Sequence, residues 1–190
     1  IHSSRRRFAA RLNSGVRQQN MTMLEALEQA TRAIGDSYFL LPIAHRDRPI
    51  KRERVYCYEL FHQLRLALQG SHLTLTGEPD KRGHPDFPPI NPDLILHLPG
   101  CHEENAAAVE VECRVDLEHL VKDLRNLKTM RDRGCSTLVL LLFANDAVPW
   151  PKLALAAREI DIDLKEIAVL LHRAAGQPAT REYAPAPAAA

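Results

Sequence analysis

Aromatic residues make up only 5% of the chain, so stacking on single-stranded bases is not expected to dominate its binding. No apolar run approaches the ~18–20 residues that cross a bilayer, which excludes a transmembrane helix. Net charge is lacking too: 25 Lys and Arg stand against 24 Asp and Glu. Any surface that attracts nucleic acid must therefore be local. The four cysteines (Cys57, Cys101, Cys113, Cys135) include no Cys-x-x-Cys pair, and His97, Cys101 and His102 fit no zinc-ligand spacing. No signal peptide is evident, so the expectation is a cytoplasmic protein with reduced thiols and no membrane partner. There is no internal repeat.

What is present suits one folded domain: 190 residues, 45% of them apolar, can bury a proper core. The domain is expected over residues 21–177. Residues 1–20 carry Arg5, Arg6, Arg7, Arg11 and Arg17 and read as a basic extension, disordered or added in cloning, with Met21 or Met23 a natural start. The alternative is an arginine-rich arm on nucleic acid. Residues 178–190, ending "APAPAAA", read as a disordered tail.

Periodicity supplies the elements. "MTMLEALEQATRAI" repeats apolar residues at helical spacing and stops at Gly35. "IKRERVYCYELFHQLRLALQ" predicts a long helix closed by Gly70, and "HLTLTG" and "DLILHL" predict strands on either side of a turn-rich segment. "AAVEVECRV" makes a third strand. A second long helix follows, with Asp116 as N-cap and Gly134 past its end. "STLVLLLFA" is apolar throughout, hence a strand buried on both faces. A helix around "PKLALAAREI" and a strand "KEIAVLLH" complete the order. Three strands in succession allow a meander, and the helix before the fourth favours a parallel crossover. The fold class is α/β, a mixed sheet flanked by helices.

Within the third strand, Glu110 and Glu112 point to one side, because residues two apart in an extended chain share a face. Two like charges so placed need either solvent or a cation between them. Asp93 opens the second strand directly after Pro92. If the two strands are neighbours, three carboxylates meet, and such a cluster suits Mg²⁺, a hard ion that takes oxygen ligands.

A helix bearing Glu59 ("YELFHQLR"), a strand, a strand opening Pro92-Asp93, a strand with Glu110-Val111-Glu112, then helix and strand resembles the PD-(D/E)XK nuclease superfamily, over about residues 50–145. Of three Pro-Asp pairs (Pro79-Asp80, Pro85-Asp86, Pro92-Asp93), only the last leads straight into an apolar strand. The resemblance implies a restriction-endonuclease-like αβββαβ core and a Mg²⁺-dependent deoxyribonuclease, with Mn²⁺ as substitute. Asp93 and Glu110 would be the metal-binding acids, and Glu59 the supporting helix glutamate. The departure is Glu112, which stands in the motif's lysine position. Glu112 would then join the metal ligands or help polarise water, and Lys81 or Lys122 would supply the missing charge; otherwise the site is inactive.

Further cations suit a DNA backbone. The segment "GEPDKRGH" offers Lys81 and Arg82 to a phosphate, and the helix after the third strand carries Lys122, Arg125, Lys128, Arg131 and Arg133 as a drifting basic stripe. The cluster Arg46, Arg48, Lys51, Arg52 and Arg54 extends the track if it lies on the same side. The expected partner is DNA. The family's habits suggest restriction or anti-phage defence, as a homodimer or within a larger complex. The competing reading is a catalytically inactive DNA- or protein-binding subunit that kept the fold.

Overall fold

The computed structural model describes residues 21–78, 90–100 and 105–185. Helix α1 (Met23–Arg32) starts at a reciprocal cap, in which the Glu25 N–H donates to Thr22 Oγ1 and the Thr22 N–H donates to the Glu25 carboxylate at 2.8 Å. A single turn, α2 (Asp36–Phe39), lies in a stretch expected to be loop. Helix α3 (Glu53–Ala67) buries Tyr56, Cys57, Leu60 and Leu64, a spacing that keeps one stripe on the sheet.

Strands β1 (Thr74–Gly77), β2 (Leu94–His97) and β3 (Asn105–Glu112) pair antiparallel in succession. Helix α4 (Leu117–Asp132) begins at Asp116, whose carboxylate accepts the His119 N–H at 3.1 Å. It ends just before Gly134, whose φ of 85° is left-handed and favours glycine. Strand β4 (Thr137–Phe143) then lies parallel to β3. Helix α5 (Trp150–Ile160) leads, through a 3₁₀ turn at Leu164–Glu166, to β5 (Ile167–His172), parallel to β4. The sheet runs β1-β2-β3-β4-β5-β6.

Strand β6 (Thr180–Glu182) corrects the expectation of a tail from residue 178. It pairs antiparallel with β5. Tertiary bonds hold it: the Ala179 N–H donates to Thr31 Oγ1 at 2.8 Å, and Arg173 donates to Thr180 and Glu182 at 2.8 and 3.0 Å. Three residues of local sequence could not signal that. The expectations for residues 1–20 lie outside the described residues.

Helices cover both faces of the sheet. On one, α1 and α3 pack against Leu94, Val109, Val111, Val139, Leu141 and Phe143. On the other, α4 and α5 pack against Ile95, Ala108, Leu138, Leu140 and Leu142. Burying each such leucine is worth ~2 kcal/mol. An aromatic cluster ties α3 to the sheet: Tyr56 stacks on Phe143 at 3.9 Å, and its hydroxyl bonds His172 Nδ1 at 2.8 Å. That anchor fixes the first turn of α3, where Glu53 stands.

Candidate metal centre

Strand alternation puts Glu110 and Glu112 on the side of the sheet that α4 covers, in step with Ala108. Solvent does not wash them: Glu110 is 0% exposed and Glu112 2%. A carboxylate in such a place costs several kcal/mol, order of magnitude, unless something compensates its charge. Neither Glu110 oxygen has a hydrogen-bond partner by geometry among the described residues, and only Lys122 and Asn126 nearby favour its charge.

Asp93 is drawn to the pair through the backbone. Its Oδ2 accepts the Val111 N–H at 2.7 Å, between the two glutamates in sequence, which fixes it beside β3. Asp93 and the two glutamates thus lie on adjacent strands, but the group of three donor atoms within 4.8 Å of one another among the described residues is Glu53, Glu112 and Cys113, without Asp93 or Glu110. Glu112 Oε1 accepts the N–H groups of Cys113 and Arg114 at 2.7 and 2.6 Å, bending the chain sharply where the strand ends.

Helix α4 adds two groups. Lys122 Nζ lies 3.5 Å from Asp123 Oδ1. Asp123 is only 1% exposed, and its Oδ2 has no partner. Asp123 went unrecognised as a site residue, although a signal was available: it falls three residues after Leu120 and four before Leu127, on the helix's apolar stripe. A carboxylate there is out of place unless the neighbouring face is polar. Asn126, buried one turn further on, lies close enough to Glu110 to oppose its neutralisation.

Glu59 does not join this cluster. It is half-buried and accepts a hydrogen bond from Gln63 Nε2 at 2.7 Å. Six residues earlier, Glu53 is the α3 acid facing Glu112, and the two carboxylates and the Cys113 sulfur have atoms within 4.8 Å of one another. Six residues turn a helix by about 240°, so the two glutamates of α3 cannot serve the same spot.

Proton affinities follow the crowding. Burial holds Asp93 up at about 6, although the Val111 N–H and Lys122 oppose it. Burial, outweighing Lys122, lifts Asp123 to about 7. Burial and then the facing Glu112 push Glu53 to about 8. Glu110 goes well above the carboxylate range through burial, then Asp93 and Asp123. Burial works against the charge on Lys122, but Asp123, Glu110 and Asp93 hold its pKa above the usual lysine value. Lys122 thus stands among Asp123, Glu110 and Asp93, while Glu112 acts in turn on Glu53, Asp93 and Asp123. Buried, crowded oxygen donors, some with no hydrogen-bond partner, are the donor set a hard divalent cation takes.

Cations stand on the rim. Lys51 Nζ donates to Asn145 Oδ1 at 3.3 Å, and Asn145 Nδ2 donates to the Cys113 carbonyl at 3.3 Å, so the basic segment before α3 abuts the site. Arg54 pairs with Glu78 at 3.5 Å. Lys122 and Arg125 line a groove of about 640 Å³ with His119, Val121 and Glu159. The far end of the α4 stripe is engaged otherwise: Lys128 pairs with Asp132 at 3.3 Å, and Arg131 with Glu166 at 2.8 Å. Lys81 and Arg82 lie outside the described residues. The chain matches no family model, no curated protein and no solved structure.

Proposed function

We propose that this chain is a Mg²⁺- or Mn²⁺-dependent deoxyribonuclease, a variant of the PD-(D/E)XK type. The carrying observation is Glu110, fully buried with both oxygens unpartnered, beside an Asp93 held by the Val111 N–H. Asp93 and Glu110 would hold the cation, with Glu112 and Asp123 beside them. When bound, such an ion supplies a Lewis acid that acidifies a water and neutralises phosphate charge.

The protein's own part is positioning and charge. Asp93 arrives with one oxygen occupied by the Val111 N–H, leaving the other for a ligand. Glu112, with Oε1 spent on two backbone N–H groups, cannot play the lysine's role of a cationic donor. Lys122 can: it projects from α4 with its side chain 60% exposed, so its ammonium reaches both the acids and an incoming phosphate. The lysine of the motif would thus be supplied from the helix rather than the strand. Exposed Lys51, Arg52 and Arg54 at the start of α3, and Lys122 and Arg125 on α4, offer neutralisation to a phosphate backbone without reading bases.

The test is supercoiled plasmid with Mg²⁺ or Mn²⁺, alongside Asp93→Asn and Glu110→Gln. Metal-dependent nicking that both substitutions abolish is the expected result. Retarded DNA without cutting would instead support the inactive DNA-binding subunit.

A further inference from the structure

The end of β3 brings together two donors that regular strand geometry would separate. In an extended chain, Glu112 and Cys113 point to opposite faces. Here the ladder stops at Glu112, and the bend made by its bonds to the Cys113 and Arg114 N–H groups lets both side chains meet Glu53. The three ligand atoms lie within 4.8 Å of one another. Bonds of ~2.1 Å to oxygen and ~2.3 Å to sulfur put tetrahedral ligand atoms ~3.5 Å apart, so side-chain adjustments of about an ångström close the set.

A second observation points to a ligand at this spot. Asp123 Oδ2 is buried and has no partner, and it stands where its charge is felt at Glu53 and where it feels Glu112 in turn. A buried carboxylate with an idle oxygen thus stands within electrostatic reach of two of the three donors, Glu53 and Glu112.

We propose a second cation site, formed by Glu53, Glu112 and Cys113 with Asp123 behind them, that takes a borderline-soft ion such as Zn²⁺. It shares Glu112 with the nuclease reading but needs no phosphodiester hydrolysis. The sulfur makes it chemically distinct from the oxygen-only set at Asp93 and Glu110, since thiolate prefers zinc or cadmium over magnesium. Burial, then Glu112 and Glu53, push the Cys113 thiol up to about 11 in the empty fold, against Lys51 and Arg114 on the same rim, so the metal itself must displace the proton. Binding there releases the thiol proton to solvent as the metal–sulfur bond forms.

The test is titration of the metal-free full chain with Cd²⁺ in the presence of excess Mg²⁺, read by the thiolate-to-cadmium charge-transfer band in the ultraviolet. The band is expected to saturate at one equivalent, to vanish in Cys113→Ser, and to persist in Cys57→Ser and Cys101→Ser. Glu53→Gln should weaken the ion's affinity by about tenfold or more. Circular dichroism establishes that each variant is folded. No band in the wild type, or one that survives Cys113→Ser, overturns the proposal. Plasmid that stays uncut while the band forms counts against the nuclease reading alone.

Discussion

Asp123→Asn should make the metal-free protein more stable relative to wild type as pH rises, and this can be worked from the structure. The folded pKa of Asp123 is raised from 3.8 to about 7, chiefly by burial. An acid raised in this way stabilises the fold fully below pH ~4, and that contribution is lost as pH climbs through about 7. A shift of about three units corresponds to about 4 kcal/mol, at 1.36 kcal/mol per unit. Against a total stability of roughly 5–15 kcal/mol, that is a large effect. His172 complicates any absolute curve, because burial lowers its pKa from 6.5 to about 4 and so adds stability as pH rises through the same range. The difference between variant and wild type cancels it. Urea unfolding in EDTA at pH 4.5, 6, 7 and 8.5, followed by circular dichroism, should show Asp123→Asn gaining about 3 kcal/mol on wild type over this series, since about 1 kcal/mol of the total is already lost at pH 4.5. Saturating Mn²⁺ should shrink or reverse the gap, since the ion stabilises whichever fold binds it better. A constant difference across pH, unmoved by Mn²⁺, would refute the claim that Asp123 is a buried charge awaiting a cation.

Other consequences are simpler to read. Lys122→Ala should lower plasmid cutting by about 10²-fold or more, with Lys122→Arg recovering part of it; equal activity in all three would remove Lys122 from the phosphate. Glu59→Gln should leave calorimetric cation affinity unchanged while Glu53→Gln weakens it, and the opposite ranking would restore the helix role to Glu59. Tyr56→Phe strands the buried His172 Nδ1 and should cost about 1–3 kcal/mol in urea unfolding without altering cation binding.

Most of the fold was legible because its signals are local. The apolar run of β4, the Asp116 cap and Gly134 each act through neighbouring residues, and each stands where the pattern put it. Elements that depend on distant partners were not. The turn α2 holds because Phe39 is buried against Tyr56, Phe143 and His172, residues far away in the chain. Strand β6 holds because Thr31 and Arg173 grip it. Neither partnership leaves a mark on the short segment itself.

The candidate site divides along the same line, for a reason rooted in charge. Asp93, Glu110 and Glu112 could be read together because two adjacent strands and a period of two suffice to join them. Glu53 could not: between Arg52 and Arg54 in the first turn of a helix, an acid reads as a complement to the macrodipole. Asp123 was hidden by the basic stripe it interrupts. A Glu-x-Glu alternation looks like a solvated strand face until a helix lies across it. Once α4 covers β3, each acid on the covered face loses water, and the repulsion that solvent would have screened becomes an energy to be met by protons or by cations. Protons meet it at low pH, as the raised values of Asp93, Asp123 and Glu53 require. Near neutrality Asp93, at about 6, has given up its proton and Asp123, at about 7, is giving up its own, so the same burial that destabilises the empty fold favours the binding of a dication.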